Sequence, residues 1–170
     1  MTISMYSASV PVFKHMLGNL SHFLDKAQAH AEAKKFDPQV LVESRLAPDM
    51  LPFKKQIQIA CDAAKNGLAR LSGVEAPKFE DGESTLAELK ERIRKTLQFL
   101  DSVPRDKIDG CEDKDITFPV GRDKTRTMKG EAYLLNWALP NLFFHITTAY
   151  ALLRHNGVEL GKTDYLTGSQ

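Results

Sequence analysis

The chain has 170 residues, which suits a single domain with a substantial core, and no repeat or composition break divides it. Its 23 Lys and Arg residues balance 22 Asp and Glu residues, so the net charge is +1. This balance excludes the basic surface typical of nucleic-acid-binding proteins and a polybasic patch for membranes.

Neither the N-terminal stretch nor any apolar run has the pattern of a secretory leader or a membrane span. Cys61 and Cys111 are isolated in the sequence, so neither a disulfide framework nor a thiolate metal site is indicated. We therefore expect one cytoplasmic domain over residues 1–170, without a nucleic-acid or membrane partner.

The first helix is predicted over Ser9–Lys35, because apolar residues recur there at helical spacing on one wide face. His15 and His22 project away from that face, which favours a solvent or subunit contact. Tyr6 projects with the apolar face if the helix reaches back past Pro11, and it could then approach the last helix. The residues of the apolar face are Phe13, Met16, Leu17, Leu20, Phe23, Leu24, Ala27 and Ala31.

The next segment is predicted to contain one short helical turn after Asp37-Pro38, and then a stiff stretch that includes Asp49. Asp49 is interpreted as the cap of the second helix, which extends to about Leu71 and ends at Gly73. Gln56 lies at the edge of the inner face of this helix. Its inner residues are Phe53, Ile57, Ala60, Ala64, Leu68 and Leu71, and its outward residues are Lys54, Lys55, Gln58, Asp62 and Lys65.

The third helix opens with Thr85 and Glu88 at the spacing of a capping box and stops before Pro104. We interpret its charged residues as a solvated face. They are Glu88, Lys90, Glu91, Arg92, Arg94 and Lys95.

Ile116, Phe118 and Val120 then alternate with polar residues, and a turn at 121–124 precedes residues 125–128. This pattern predicts a small β-hairpin, packed against one end of the helices because it cannot be stable alone.

The last helix is predicted over Glu131–His155, with a kink or a new start at Pro140. Gly157 supplies the left-handed residue that commonly ends a helix. Residues from about 158, and 161–170 in particular, are interpreted as a partly ordered tail.

At about 100° per residue, one stripe of the last helix is apolar or small except for Asn141 and His145, which lie four residues apart. Two polar side chains in an inward stripe need partners. The pair is either a satisfied polar contact in the core or half of a ligand or metal site. Gln56 is the residue of the second helix best placed to meet it.

These elements predict an all-α protein, an up-and-down four-helix bundle with a small hairpin between helices 3 and 4. The chain resembles the DinB/YfiT-like superfamily, and within it a bacterial family of unknown function. The sequence motifs that carry this resemblance are RLAPDM from Arg45, with Gln56, and PNLFFHITTAYALLRHNGVELGKTDYL from Pro140.

The resemblance implies a divalent-metal site made of one histidine on the second helix and a His-x-x-x-His pair on the last. Several members are thiol transferases or related hydrolases. In this chain His145 matches the second histidine of the pair, Asn141 the first, and Gln56 the remaining position. Amide oxygens are poor zinc ligands beside one imidazole, so we expect no metal cofactor. A weaker divalent-metal site that recruits Tyr6 or Asp49 is the alternative.

Three hypotheses about function follow. The first is a module that binds a small molecule through Gln56, Asn141 and His145, with Tyr6 and Asp49 as further candidates. The second is an enzyme, either weakly metal-dependent or using His145 as a general base. The third is an interaction protein that works as a homodimer, which the resemblance implies, through outward residues such as His15, His22 and Phe143. No motif identifies the ligand.

Overall fold

The computed structural model describes residues 3–168, which form four long helices, shorter helical segments and one hairpin. The long helices are α1 (Met5–Lys34), α3 (Phe53–Ser72), α4 (Leu86–Ser102) and α6 (Leu139–His155). The short segments are α2 (Gln39–Val42), a 3₁₀ turn (Arg105–Lys107), α5 (Gly130–Tyr133), a π turn (Leu134–Ala138) and α7 (Lys162–Thr167). The strands are β1 (Asp115–Pro119) and β2 (Thr125–Lys129).

The four long helices surround one apolar core, in which α1 and α3 each pack against both α4 and α6. The prediction of a mostly helical protein with a small hairpin is confirmed. The predicted count of four helices is not confirmed, because short helices lie between the long ones and after the last. Among the helices of residues 3–168, none combines the length and apolar content of a membrane span.

Helix α1 begins at Met5, four residues before the predicted start. Ser4 caps it: the Ser7 amide N–H donates to Ser4 Oγ over 3.3 Å, and the Ser4 amide N–H donates to Ser7 Oγ over 2.8 Å. Pro11 lies inside this helix on its exposed side, where water can bond the carbonyl that a proline leaves free.

Asp49 does not cap the second long helix, so that prediction was wrong. Helix α3 begins at Phe53, and Pro52 precedes it without a side-chain cap. The Phe53 amide N–H instead donates to the carbonyl of Ser44 over 2.9 Å. At the other end Gly73 has φ of +77°, which confirms the predicted left-handed stop.

Helix α4 has the predicted capping box. The amide N–H of Glu88 donates to Thr85 Oγ1 over 3.2 Å, and the amide N–H of Thr85 donates to Glu88 Oε2 over 3.0 Å. The interpretation of all its charged residues as a solvated face was wrong, however, because Arg92 is only 2% exposed.

The Arg92 guanidinium is buried in a cluster of carboxylates that we call the Arg92 cluster. It bonds Glu83 at 2.9 Å, Asp81 at 3.0 Å and Asp62 at 3.2 Å, and also lies 5.4 Å from the centre of the Phe79 ring. Three of these four residues belong to the segment between α3 and α4. That segment therefore covers Arg92, and its negative charges compensate the burial of the cation.

The same segment covers two residues of α3 that were predicted to project outwards. Lys65 is buried, bonds Asp62 at 3.0 Å and lies 4.3 Å from the centre of the Phe79 ring. Gln58 is also buried and donates to Glu83 Oε2 over 2.8 Å. Their projection from the helix marked these residues as exposed, whereas a folded connection of complementary chemistry lies over them.

The hairpin has the predicted position, with β1 and β2 antiparallel and Ile116 opposite Met128. Phe118 on β1 points inwards, where its ring centre lies 4.9 Å from those of both Tyr133 and Trp137. These aromatic contacts hold the hairpin against the start of the last helical region.

That region, from α5 through α6, does change at Pro140, as predicted. A π turn over Leu134–Ala138 precedes α6, and the Leu139 amide N–H donates to the carbonyl of Leu134. Pro140 follows in the first turn of α6, where it has no amide hydrogen to donate. The change of helix type lies immediately before Asn141.

Residues 162–167 form helix α7. The prediction of a partly ordered tail was therefore wrong for these residues. Helix α7 packs on α1, where Asp164 bonds His22 at 3.1 Å and Lys26 at 2.9 Å, and His15 Nε2 donates to the carbonyl of Leu166 over 2.6 Å. His15 and His22 were expected to contact solvent or a subunit. Both instead form hydrogen bonds to α7 of the same chain. Residues 1–2 and 169–170 of the predicted domain and tail lie outside the described residues.

We predict that Gly130→Ala strongly destabilises the fold. A Cβ at this position would lie 1.9 Å from the carbonyl oxygen of Cys111, so the backbone itself must move. The expected loss in the free energy of unfolding, measured by urea denaturation, is about 3 kcal/mol. Gly18→Ala is the control, because nothing lies within 4 Å of its Cβ and it should stabilise α1 by about 0.5–1 kcal/mol. Equal effects of the two changes would contradict this account.

We predict that Arg92→Met lowers the free energy of unfolding by about 2–3 kcal/mol, because it leaves Glu83 without its buried cation. The matched control is Arg94→Met on the same helix. Arg94 pairs with Glu91 at the surface, where solvent screens the pair, so its loss should cost much less than the loss of Arg92. Denaturation of both variants in low and high salt measures the difference, and similar costs would show that the Arg92 cluster is not structural.

Candidate functional site

The packing of α3 against α6 brings Gln56 and His145 into direct contact. Gln56 Oε1 lies 2.8 Å from His145 Nδ1, although the two residues are 89 positions apart. Gln56 is buried, and His145 is 9% exposed. The expectation that Gln56 is the α3 residue that meets His145 therefore agrees with the geometry.

The orientation of the Gln56 amide determines which nitrogen of His145 carries the proton. Gln56 Nε2 donates to the carbonyl of Leu51 over 3.0 Å, so Oε1 is the atom that faces the imidazole. An amide oxygen can only accept, which assigns the hydrogen to Nδ1. The lone pair of His145 is consequently on Nε2.

Nε2 of His145 has no hydrogen-bond partner among residues 3–168. In that part of the chain the fully buried side-chain nitrogen and oxygen atoms without a partner are Gln58 Oε1 and Arg92 Nε. Nε2 is not one of them, so it retains contact with solvent. His145 therefore presents one hydrogen-bond acceptor to the outside.

Burial lowers the pKa of His145 to about 4, because the surroundings disfavour the charged imidazolium. At neutral pH the ring is therefore neutral. A base with so low a pKa removes protons poorly at pH 7, where a general base works best with a pKa near the ambient pH.

Asn141 precedes His145 by one helical turn and is half-buried. Within the described part of the chain its side chain makes no hydrogen bond, so His145 pairs with Gln56 rather than with Asn141. The neighbouring Phe144, which the sequence argument did not single out, is 59% exposed, and its ring meets that of His145 edge to face at 5.1 Å between centres. Phe144 directly precedes His145 in the sequence motif, and this position could have identified it as a candidate site residue.

Neither of the other two candidates, Tyr6 and Asp49, makes a hydrogen bond to this pair. Tyr6 donates its amide N–H to Asp109 over 2.8 Å, and its ring lies 5.5 Å from the guanidinium carbon of Arg105. These contacts are with the segment after α4, and the approach of Tyr6 to His145 stays a prediction. Asp49 is exposed on the connection before α3 and makes no hydrogen bond to Gln56 or His145.

The residues of the site do not fit the metal centre that the superfamily resemblance implies. Gln56 Oε1 already accepts from the imidazole of His145, and the third position is an amide, Asn141. Among residues 3–168 no group of three His, Cys, Asp or Glu residues could hold a metal ion. One imidazole nitrogen beside two amides is not the ligand set of a catalytic zinc ion. The absence of a bound metal stays a prediction.

An apolar groove of about 660 Å³ lies nearby, between α1, α6 and α7. Phe143, Met16 and Leu166 are among its lining residues, whereas His145 and Asn141 are not. Phe143, which was expected to point away from the His145 stripe, therefore belongs to a different surface.

Comparison with known proteins agrees with this architecture. The sequence pattern of a family described as "Domain of unknown function (DUF1993)" matches residues 5–166. The chain belongs to the DUF1993 family. No curated protein matches it.

A solved structure supports the assignment of this chain to the DinB-like superfamily. The chain is similar to a crystal structure, at 1.83 Å resolution, of a DinB family member protein from Shewanella denitrificans. The two share 47% sequence identity and superpose with a TM-score of 0.87, over 95% of this chain and 90% of the other.

We predict that the neutral state of His145 makes the fold less stable in mild acid. Between the unfolded pKa of about 6.5 and the folded pKa of about 4, the unfolded chain binds a proton that the folded chain does not. The free energy of unfolding should therefore fall by about 2 kcal/mol as the pH is lowered through this window, since the ring keeps some contact with water.

Denaturation of the wild type and of His145→Gln at several pH values measures this effect. The variant should lack that part of the pH dependence. The carboxyl of Asp109, whose pKa Arg105 and the Tyr6 amide lower to about 2, contributes only at more acidic pH. If the free energy of unfolding of the variant fell with pH as steeply as that of the wild type between pH 6.5 and 4, His145 would not be the group that titrates.

Proposed function

We propose that this DUF1993 protein is a binding module for a small molecule, with its site at Gln56, Asn141 and His145. The observation that carries the proposal is the hydrogen bond from His145 Nδ1 to Gln56, which leaves Nε2 as an unpaired acceptor in contact with solvent. Buried polar groups normally have a partner in the protein or in ordered water, and Nε2 of His145 is left for a partner from outside the protein.

The chemistry of the three residues favours binding over catalysis. The acceptor on His145 and the amide of Asn141 can form hydrogen bonds, and the exposed ring of Phe144 adds apolar area. The low pKa of His145 argues against general-base catalysis at neutral pH. The amides argue against the metal-dependent transfer or hydrolysis known in the superfamily.

Further features of the proposal rest on the composition of the chain and on its resemblance to the DinB-like superfamily. We infer that α1, α3, α4 and α6 are the four helices of its up-and-down bundle and that residues 1–170 form one domain. We also infer that the protein acts in the cytoplasm as a homodimer, without a resident cofactor, nucleic acid or membrane. The similarity to the DinB family structure supports the first of these inferences.

The first prediction from this proposal is that His145 is open to reagents and binds no metal tightly. At pH 6, diethyl pyrocarbonate should modify Nε2 of His145, as mapped by mass spectrometry, because the ring is neutral and Nε2 reaches solvent. Elemental analysis of untagged protein, purified without chelator, should show far less than one metal per chain. Zinc, nickel and manganese should cause no thermal shift that depends on His145.

His145→Gln and His155→Gln form the matched pair for this test, since His155 is exposed on the same helix. A screen of neutral fragments by ligand-observed NMR should yield binders that are lost in His145→Gln and kept in His155→Gln. An unreactive His145 together with no such binder would contradict the proposal. Near one metal per chain, with stabilisation lost in His145→Gln, would revive the metalloenzyme hypothesis.

A further inference from the structure

We propose that the His145 site selects uncharged, flat ligands that carry a carboxamide-type edge, in which a donor and an acceptor are adjacent. This inference rests on the proposed function and names the chemical class of its ligand. Amides, lactams and ureas have this edge. The inference depends on three features of the site: the fixed tautomer of His145, the free amide of Asn141 and the exposed ring of Phe144.

His145 presents an acceptor and cannot easily exchange it for a donor. Its Nδ1–H is engaged by Gln56 Oε1 at 2.8 Å, and the Gln56 amide is held in that orientation by its bond to Leu51 at 3.0 Å. A flip of the Gln56 amide would break both hydrogen bonds. The ligand atom that meets Nε2 must therefore be a donor, such as an N–H group.

Asn141 supplies the complementary donor. It lies one turn before His145 on the same face of α6, a spacing at which Cβ atoms are about 5–6 Å apart. Its amide makes no hydrogen bond to another residue among those described, so its N–H groups and its oxygen are available. A ligand amide can donate N–H to His145 Nε2 while its carbonyl accepts from Asn141.

A charge on the ligand would find no bonded counter-charge at the site, as far as the described residues show. Within residues 3–168, no Lys, Arg, Asp or Glu side chain bonds to Gln56, Asn141 or His145. Burial already disfavours a charge on His145 itself, and it would disfavour a charge on a ligand for the same reason. A carboxylate would in addition place its lone pairs against the lone pair of Nε2.

Phe144 favours a flat body next to the polar edge. Its ring is 59% exposed and stands edge to face with the imidazole, with 5.1 Å between centres. A planar group can cover such a ring with little loss of conformational freedom. The polar residues thus select the edge of the ligand, and Phe144 favours its shape.

The test compares three probes of nearly the same size and shape: benzamide, benzoate and benzamidinium. Each is titrated into uniformly ¹⁵N-labelled protein at pH 7.5, and the ring nitrogens of His145 are observed by long-range ¹H–¹⁵N NMR. Benzamide should bind at least about tenfold more tightly than benzoate, the expected consequence of one favourable hydrogen bond replaced by a repulsive contact. It should also shift the Nε2 resonance.

Two variants at position 141 test the role of the amide. Asn141→Leu should weaken benzamide at least about fivefold, whereas the control His155→Gln should not. The wild type should bind benzamide more tightly than benzamidinium. Asn141→Asp should reverse this order, because a carboxylate beside Nε2 favours the cation. A reversal cannot result from partial unfolding, since unfolding would weaken all three probes together.

The outcomes separate this inference from the proposed function. Equal or tighter binding of benzoate, or a benzamide affinity that is unaffected by Asn141→Leu, would overturn the ligand class. If other fragments still bind in a His145-dependent way, the proposed function would stand while the ligand class fails. If no fragment binds in a His145-dependent way and His145 is unreactive, both would be overturned.

Discussion

The hydrogen bond between Gln56 and His145 is the interaction on which the candidate site depends. It joins the two long helices that pack most extensively against each other, and it fixes the proton of the imidazole on Nδ1. Because Gln56 also bonds the carbonyl of Leu51, the same amide ties the connection before α3 to the site. One side chain thus sets the tautomer of His145, its outward acceptor and the position of a neighbouring loop.

This arrangement differs from the metal centre that the resemblance to the DinB-like superfamily implies. At the position where the resemblance implies a metal ligand on the second long helix, Gln56 directs its oxygen at the imidazole instead of at an ion. The buried imidazole then has a pKa of about 4 and remains neutral. A neutral acceptor beside an amide is suited to recognising uncharged groups, and the proposed ligand class follows from this polarity.

The Arg92 cluster shows a second way in which the fold manages buried polarity. Arg92 is covered by the connection between α3 and α4, whose carboxylates at Asp81 and Glu83 compensate its charge. Phe79 adds a ring that contacts both Arg92 and Lys65. At His145 burial suppresses a charge, whereas at Arg92 burial is accompanied by opposite charges. The difference lies in the acidic residues that the local connection supplies.

Periodicity and local chemistry determined much of this protein by themselves. The apolar spacing of the long helices, the Thr85 capping box, the stop at Gly73 and the alternation at Ile116 and Phe118 depend on residues close in the chain, so the sequence alone was sufficient. The sequence also indicated that Gln56 would face His145, because each lay at a definable angle on its helix.

Tertiary structure decided the burial of Arg92, the docking of α7 on His15 and His22, and the pairing of His145 with Gln56 rather than Asn141. These depend on which distant segment covers a given face, and a helical period carries no information about that segment.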